Sequence, residues 1–359
     1  MYDVVVVGAG PTGCYAARQL ARLGYEVLVL EEHTEIGEPV HCTGIISVEA
    51  CKRFDLDRTC VEEQLSSARF FSPGGDSFVV SSGETQAVVV DRGRFDRVLG
   101  EQALSAGASF LLGARVEGAS VGDDSVVVSA RCLGEPAAFR SSLLIAATGV
   151  DDTITEQLGV AERSGPYSFG AQLIAETGDL DRVEVHLGRD VAPGGFAWAV
   201  PANGHGCRVG LVSHSQPQPL LKGFAGRLEE RGAIRSNGAR MRCRAVPSGP
   251  RTPSYGDRVL VIGDAAGQVK ATTSGGIYYG LLGAEAAVAA ADRALRLGDV
   301  SADQLSGYEA EWTGRIGGEQ QMGRVLRRIQ ATLSDRDMDS LFWLAKRTGL
   351  PRVLSRLHF

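Results

Sequence analysis

The 359-residue sequence predicts an α/β protein with a Rossmann-like dinucleotide-binding domain, an antiparallel sheet in its middle and helices at its C-terminal end. Three observations predict this fold class. A strand, a glycine-rich turn, a helix and a second strand follow one another within the first 32 residues. Another apolar strand runs into a glycine-rich segment near residue 263. Short apolar runs, typical of antiparallel strands, occupy residues 167–213.

Composition is that of an ordinary globular protein, with 44% hydrophobic and 22% charged residues. The formal net charge of −6 gives no basis for expecting nucleic acid as a partner, because a phosphate-binding face needs an excess of basic residues. None of the seven cysteines belongs to a C-x-x-C pair, and the six histidines include no H-x-x-x-H pair. The sequence therefore predicts neither a disulfide framework nor a metal site.

The chain shows no feature of a secretory leader. The apolar run Val4–Val7 is too short for a signal sequence and no basic residue precedes it. No window approaches the roughly 18–20 apolar residues that a membrane span requires. We expect a cytoplasmic protein, in contact at most with the cytoplasmic face of a membrane.

The N-terminal segment carries a dinucleotide fingerprint. After the strand Tyr2–Val7, Gly8 permits the tight turn and Gly10 lets a pyrophosphate approach the backbone. Gly13 allows the helix to pack close to the strand, and the helix N-terminus attracts the anion. Glu31, at the end of the next strand, is placed to accept hydrogen bonds from an adenosine ribose, and its charge disfavours the 2′-phosphate of NADP.

A second segment favours FAD over NAD as the dinucleotide. The strand Arg258–Ile262 runs into a G-D turn, and an alanine-rich helix begins near Tyr278. In flavoproteins of the hydroxylase-like class, to which this pattern is similar, the aspartate (here Asp264) binds the ribityl chain and the helix start faces the flavin. The alternative is a capped surface helix. A buried strand, Leu143–Gly149, matches a third segment of the class, with threonine in place of the usual acid.

Longer motifs carry a family resemblance. The chain resembles the geranylgeranyl reductase family of flavoproteins, which includes archaeal enzymes that saturate the isoprenoid chains of membrane lipids. The resemblance rests on four segments: I-G-E-P-V-H-C-T-G at 36–44, D-R-G-R-F-D at 91–96, P-G-G-F-A-W-A-V-P at 193–201, and residues 263–281. Three positions depart from the family pattern: His41 replaces arginine, Phe196 replaces tyrosine and Val200 replaces phenylalanine.

The resemblance implies a set of FAD-binding residues. Together with the fingerprint, these are Gly8, Gly10, Gly13, Glu31, Cys42, Thr43, Arg92, Val116, Asp264, Gly276 and Ile277. Val116 has no polar side chain and would act through its backbone. For Arg92 the alternative is an exposed position at the start of the helix predicted over 93–106.

The resemblance also implies a reaction. Hydride from flavin N5 would reduce isolated C=C bonds, with proton delivery to the same bond and exclusion of water. Cys42, Tyr278 and Tyr279 are the candidate catalytic residues; for Cys42 the alternative is a buried thiol that packs a loop against FAD. Phe196 and Trp198 would line a hydrophobic tunnel for the substrate, the alternative being core packing.

Domain organisation follows from the order of the motifs. Residues 1–160 and 247–300 are predicted to form a discontinuous FAD-binding domain, 161–246 an antiparallel-sheet substrate domain, and 301–359 a helical segment. Between Arg315 and Phe359 there are nine basic and four acidic residues, hence 9 − 4 = +5, with apolar residues between them. This pattern indicates either a surface that contacts anionic lipid or an amphipathic helix packed on its own protein.

Three function classes remain open. The first is a reductase of prenyl chains on a lipid, a chlorophyll precursor or a quinone, with NAD(P)H or ferredoxin as transient reductant. The second is a flavin monooxygenase or halogenase that uses O₂; a halogenase needs a lysine near its substrate, and Lys52 is the single candidate in the first half of the sequence. The third is a non-catalytic flavin electron carrier.

Overall fold

The computed structural model describes residues 1–162, 167–202 and 206–349. The strands are β1 (Tyr2–Val7), β2 (Val27–Glu31), β3 (Ile45–Ser47), β4 (Val61–Leu65), β5 (Ser67–Phe71), β6 (Ser77–Ser81), β7 (Ala87–Val90), β8 (Ser109–Leu112), β9 (Ala114–Val121), β10 (Val126–Cys132), β11 (Glu135–Ala146), β12 (Ser168–Thr177), β13 (Val183–His186), β14 (Phe196–Pro201), β15 (Cys207–Ser213), β16 (Ile234–Arg235), β17 (Arg242–Val246), β18 (Tyr255–Gly256) and β19 (Val259–Val261). The helices are α1 (Pro11–Arg22), α2 (Val48–Arg53), α3 (Arg92–Ser105), α4 (Thr153–Gln157), α5 (Pro217–Glu230), α6 (Ile277–Leu297), α7 (Ala302–Leu305), α8 (Gly307–Thr332) and α9 (Asp335–Thr348).

The chain divides into two compact units. The first comprises Met1–Val40, Gly93–Pro166 and Pro247–Arg324, and the second comprises His41–Arg92, Tyr167–Val246 and Val325–Phe359. These units are defined by packing, whereas the domains predicted from the sequence are defined by the ligands they would bind. The predicted domain boundaries therefore stay a prediction.

A mostly parallel sheet forms the centre of the first unit. Its strand order is β18-β19-β11-β1-β2-β8, and the pairs from β19 to β8 are parallel. The long β11 also pairs with β10, and β10 with β9, in antiparallel fashion. Val4–Val7 of β1 are buried as a continuous run, which is typical of a strand covered on both faces. Because β19, β11 and β1 are parallel, their carboxyl ends meet at one edge of the sheet.

The second unit is built on an antiparallel sheet of order β16-β12-β15-β14-β13-β5-β6, with β17 paired to β12. One pair, β13 with β5, is parallel. On one face of this sheet, Leu173 of β12 and Leu211 of β15 belong to the same apolar core as Leu221 and Phe224 of α5. A smaller sheet, β3-β7-β4, lies in the same unit.

The last described helix, α9, is amphipathic. Ser334 and Asp337 form a capping box at its start, and Met338, Phe342 and Ala345 are buried. The Phe342 ring lies 4.9 Å from the ring of Phe78 on β6. None of the helices in the described ranges is long and apolar enough to cross a bilayer.

The predicted fold class is confirmed. The helix that follows the first glycine-rich turn begins at Pro11, because proline is well tolerated in the first turn, where its missing N–H costs no bond. The short apolar runs at residues 167–213 form the strands β12 to β15. Residues 350–359 of the predicted basic, apolar C-terminal surface lie outside the described residues.

Candidate active site

The first glycine turn, in the first unit, joins β1 to α1. Gly8 has φ +104°, and a Cβ there would lie 2.4 Å from the Ala147 carbonyl oxygen at the end of β11. A Cβ at Gly13 would lie 2.0 Å from the Gly8 carbonyl oxygen, so α1 packs directly on the turn. By contrast, a Cβ at Gly10 would meet no atom of the described residues within 4 Å, apart from its own chain neighbours. The turn is closed against the protein on one side and open at Gly10.

Glu31, at the end of β2, stabilises this turn. Its Oε2 atom accepts a hydrogen bond of 2.7 Å from the Ala9 N–H. Its Oε1 atom accepts the His33 N–H at 3.0 Å and lies 2.6 Å from the Nδ1 atom of the same histidine. The sequence predicted Glu31 only as a ribose ligand. The structure adds that its carboxylate is held in place by the backbone of the turn.

The second glycine-rich segment meets the first at Thr12. Asp264 lies in a single 3₁₀ turn, Gly263–Ala266, that follows β19. A Cβ at Gly263 would lie 3.1 Å from Thr12 Oγ1, and one at Gly280 would lie 2.7 Å from the same atom. A Cβ at Gly276, the N-cap of α6, would lie 2.5 Å from Asp264 Oδ1. The starts of α1 and α6 and the Asp264 carboxylate therefore lie together.

Two buried side chains that the sequence analysis missed fix the second turn. Gln268 Oε1 accepts the Gly263 N–H at 2.7 Å, and its Nε2 donates to Tyr308 Oη at 2.8 Å. The Tyr308 hydroxyl in turn donates to the Val261 carbonyl oxygen at 2.6 Å, and burial raises the pKa of that hydroxyl. The sequence feature that indicated this role was the position of Gln268 in a segment of mostly small residues.

The arrangement fits a dinucleotide. Neither Gly10 before α1 nor Gly276 before α6 has a side chain to cap its helix, and a helix start of this kind favours a bound anion. The open side of the first turn lies at Gly10, where a pyrophosphate needs the backbone bare. Glu31 and Asp264 supply the carboxylates that hydroxyl groups of a ribose and a ribityl chain would meet.

Three further predicted residues lie in the first unit. Val116, on β9, packs its side chain on the same apolar cluster as Leu28 and Leu30; any contact with a ligand would have to come from its backbone. Tyr279 is buried and its hydroxyl donates a short hydrogen bond to Glu319. Burial and this bond raise the pKa of Tyr279. Tyr278 is half-buried, with its ring 6.2 Å from that of Tyr279.

The cysteine loop lies in the second unit and is held by Gln172 of β12. Thr43 Oγ1 donates to Gln172 Oε1 at 2.6 Å, and Gln172 Nε2 donates to the Cys42 carbonyl oxygen at 3.4 Å. The Gly44 N–H points to Cys42 Sγ at 3.4 Å. The thiol is half-buried and its loop is tied to the sheet.

Arg208 holds the same loop from β15. Its guanidinium donates to the carbonyl oxygens of Thr43 and Val90, the latter at 2.9 Å, and pairs with Glu62. Burial lowers the pKa of Arg208, while the Glu62 charge acts in the opposite direction. Neither Arg208 nor Glu62 was predicted; an arginine inside the apolar strand CRVGLVS was the signal. Arg92 is half-buried, and a Cβ at Gly44 would lie 3.1 Å from its Cγ atom.

Phe196 and Trp198 lie on the sheet face that carries Gln172. Trp198, Gly210 and Gln172 are directly opposite one another on β14, β15 and β12, so their side chains share one face. The rings of Phe196 and Trp198 are 5.6 Å apart. The Trp198 indole lies on Gly210, where a Cβ would be 2.4 Å from the ring. The structure thus places the Cys42 loop and the two predicted substrate residues on the same face.

Comparison with known proteins agrees with this architecture. Residues 1–188 match the family model described as an FAD binding domain. Digeranylgeranylglycerophospholipid reductase 1 of Methanococcoides burtonii is 33% identical over 95% of this chain and 86% of its own length. The reductase of Methanocaldococcus jannaschii is 31% identical over 95% of this chain and 90% of its own.

Solved structures extend the comparison. A geranylgeranyl bacteriochlorophyll reductase-like protein of Thermoplasma acidophilum superposes with a TM-score of 0.88 at 25% identity, covering 95% of this chain and 90% of that one. A flavin-dependent brominase superposes with a TM-score of 0.75 at 16% identity, covering 99% of this chain and 94% of that one. The second similarity, at this identity, shows the fold alone.

The fold and the two glycine-rich turns before α1 and α6 define an FAD-dependent oxidoreductase. The chain belongs to the digeranylgeranylglycerophospholipid reductase family, within the geranylgeranyl reductases. The family predicted from the sequence motifs and the FAD cofactor are both confirmed. The roles assigned to individual site residues stay predictions.

Two alanine substitutions separate ligand contact from protein packing. In Gly10→Ala the new methyl group meets no protein atom, so the apoprotein should unfold at an unchanged temperature while the Kd for FAD rises about tenfold or more. In Gly13→Ala the methyl group overlaps the Gly8 carbonyl, which should destabilise the apoprotein itself by about 1–3 kcal/mol. Thermal unfolding without FAD and FAD titration measure the two effects. Unchanged FAD affinity in Gly10→Ala would contradict the assignment of the turn.

Proposed function

We propose that the protein saturates isolated C=C bonds in the geranylgeranyl chains of a glycerophospholipid. The observation that carries the proposal is the similarity to digeranylgeranylglycerophospholipid reductases along nearly the whole chain. Chlorophyll precursors and prenyl quinones are the alternative carriers of the same prenyl group. The lipid is preferred because the named relatives act on it.

The chemistry sets what the chain's own residues must do. When bound, reduced FAD supplies the hydride. An isolated alkene has no carbonyl to accept electrons, so a proton must be delivered to the other carbon of the bond. The residues around the bond must also exclude water, which would otherwise add to the carbon that protonation leaves electron-deficient.

The sheet face of the second unit supports these tasks. Phe196 and Trp198 offer apolar surface to a prenyl chain, and Gly210 leaves the room in which the indole lies. Cys42 is attached to the same face through Gln172. A thiol that is only half-buried, in a loop fixed by hydrogen bonds, is suited to deliver a proton to a substrate on that face.

Among the three predicted proton donors, the contacts favour Cys42 and Tyr278 over Tyr279. The Tyr279 hydroxyl is already engaged by Glu319, and its raised pKa makes it a weaker acid. Tyr278 lies in the first turn of α6 and is only half-buried. The catalytic assignment of all three residues is part of this proposal.

Two other function classes share the fold. A monooxygenase or halogenase would use O₂, and a flavin electron carrier would have no substrate pocket. Lys52, the lysine that a halogenase would need, lies exposed on α2 in the second unit. For the electron supply we propose NAD(P)H or a ferredoxin as a transient donor.

A lipid substrate suggests contact with a membrane surface, and α9 has the features for it. Outside its buried positions, Leu341, Trp343 and Leu344 of α9 are about half exposed. The Arg347 guanidinium lies 4.0 Å from the centroid of the Trp343 ring, which joins a cation to the exposed apolar group. We propose that this exposed surface of α9 rests on anionic lipid.

Anaerobic turnover distinguishes the function classes. The FAD-loaded protein, reduced with dithionite and supplied with a digeranylgeranyl glycerophospholipid, should yield lipid that has gained hydrogen and no oxygen. Mass spectrometry measures the product. Replacing dithionite by NADPH or by reduced ferredoxin then identifies the donor. A product that forms only with O₂ would establish the monooxygenase class instead, and an unchanged lipid would leave the electron-carrier class.

Removal of the Cys42 thiol tests the proton donor. Cys42→Ser should keep its FAD and lose about a hundredfold or more in the rate of C=C reduction, the range that general acid catalysis supplies. Cys243→Ser is the matched control, since Cys243 is exposed on β17. Normal turnover by Cys42→Ser would remove the thiol from the mechanism and direct attention to Tyr278.

Flotation with liposomes tests the surface of α9. The protein should float with liposomes that contain anionic lipid and remain at the bottom with neutral ones. Replacing Leu341 and Trp343 by serine should abolish flotation, whereas Leu133→Ser, at an exposed leucine of the first unit, should not. Equal behaviour with both kinds of liposome would end the membrane proposal.

A further inference from the structure

Arg327 of α8 is a largely covered cation that forms no ion pair with an acidic residue in the part of the chain that the structure describes. Its Nη2 atom is buried and forms no hydrogen bond with any residue that the structure describes. Its Nη1 atom donates to Ser168 Oγ at 3.4 Å, a long and weak bond. Burial lowers the pKa of Arg327, and no carboxylate within the described ranges opposes that effect.

Two other buried arginines each have a carboxylate partner. Arg208 pairs with Glu62, and Arg251 pairs with Asp152. A guanidinium that loses water without gaining an anion costs folding free energy. A guanidinium of this kind lowers the stability of the folded protein unless a ligand supplies the missing negative charge.

The surroundings of Arg327 are rigid and polar. Gln330, one turn further along α8, donates to the Gly195 carbonyl oxygen at 2.7 Å and fixes the helix to the start of β14. His214, which follows β15, lies with its ring against Gly194, where a Cβ would be 2.5 Å from Nδ1. Partial burial and the nearby charge of Arg327 lower the pKa of His214. The imidazole is therefore neutral near pH 7 and offers one N–H.

A cavity of about 730 Å³ lies beside this group of residues, with His214 in its wall. Phe169, Pro217 and Leu220 line it as well, so polar atoms at His214 adjoin apolar surface. A molecule with a charged head and an apolar body matches that combination.

We propose that Arg327, together with Ser168 and His214, binds the phosphate of the glycerophospholipid substrate. The inference rests on the proposed function, because it takes the substrate to be a phosphate ester. Arginine supplies a planar set of donors suited to phosphate oxygens, and the serine hydroxyl and imidazole N–H complete the set. Binding of the phosphate would give Arg327 Nη2 the acceptor that it lacks among the described residues.

The first experiment compares two lipids in detergent micelles: a digeranylgeranyl glycerophospholipid and neutral digeranylgeranylglycerol. In the FAD-loaded wild type the phosphate ester should have the lower KM. Arg327→Met should raise that KM about ten- to a hundredfold, the range of a charge-assisted hydrogen bond, and leave the neutral lipid unaffected. Arg327→Lys, which keeps the charge, should recover part of the loss.

The matched control is Arg328→Met, which removes an exposed charge from the adjacent position of the same helix and should change neither KM. An equal loss with both lipids, or none with either, would overturn the headgroup assignment. So would a loss of the same size in the Arg328 control, since that result would indicate a general effect of net charge.

A binding experiment decides the inference independently of turnover. With the flavin site filled by FAD, glycerol phosphate should raise the unfolding temperature of wild type and not of Arg327→Met, while glycerol should raise neither. Equal binding of inorganic phosphate, with no discrimination between the two lipids, means a free-phosphate site and overturns the assignment. Absence of any glycerol phosphate effect overturns it as well. Failure to reduce either lipid would contradict only the proposed function, because the binding experiment does not depend on turnover.

Discussion

The contact of Thr12 with Gly263 and Gly280 is the constraint on which the first unit depends. It brings the starts of α1 and α6 side by side, and either glycine replaced by a larger residue would push the helices apart. Since β1 and β19 lie on either side of β11 in a parallel sheet, both helices start at the same edge. Two helix N-termini at one edge concentrate positive potential where a pyrophosphate needs it. The cofactor site is thus a consequence of backbone proximity more than of charged side chains.

The second unit is organised differently, through buried polar contacts. Gln172 and Arg208 reach from neighbouring strands to the cysteine loop, and Glu62 neutralises the arginine. A loop held in this way has few alternative positions, because each departure would leave a buried donor without an acceptor. Whatever the thiol of Cys42 does, it does from a fixed position relative to the sheet that carries Trp198.

The sequence predicted what local patterns encode. The strand, turn and helix at residues 2–22 follow from the apolar run and the glycine spacing, and the strands β12 to β15 from short apolar runs between polar segments. The parallel pairing of β13 with β5 joins segments more than a hundred residues apart, and no local sequence pattern predicts it. The contacts of Arg208 could not be predicted for a similar reason, since its partners Glu62 and Thr43 come from distant segments. Tyr279 was predicted from its place in the family motif, but its hydrogen bond to Glu319 depends on how α8 packs against α6.

The indole of Trp198 rests on Gly210, and this has a structural consequence. The height of the aromatic ring above the sheet is set from beneath, by a residue on the neighbouring strand. A single methyl group at that position would lift the ring by roughly the width of a carbon atom. If Trp198 binds the prenyl chain as proposed, the residue at position 210 would set the depth of that contact from beneath the ring.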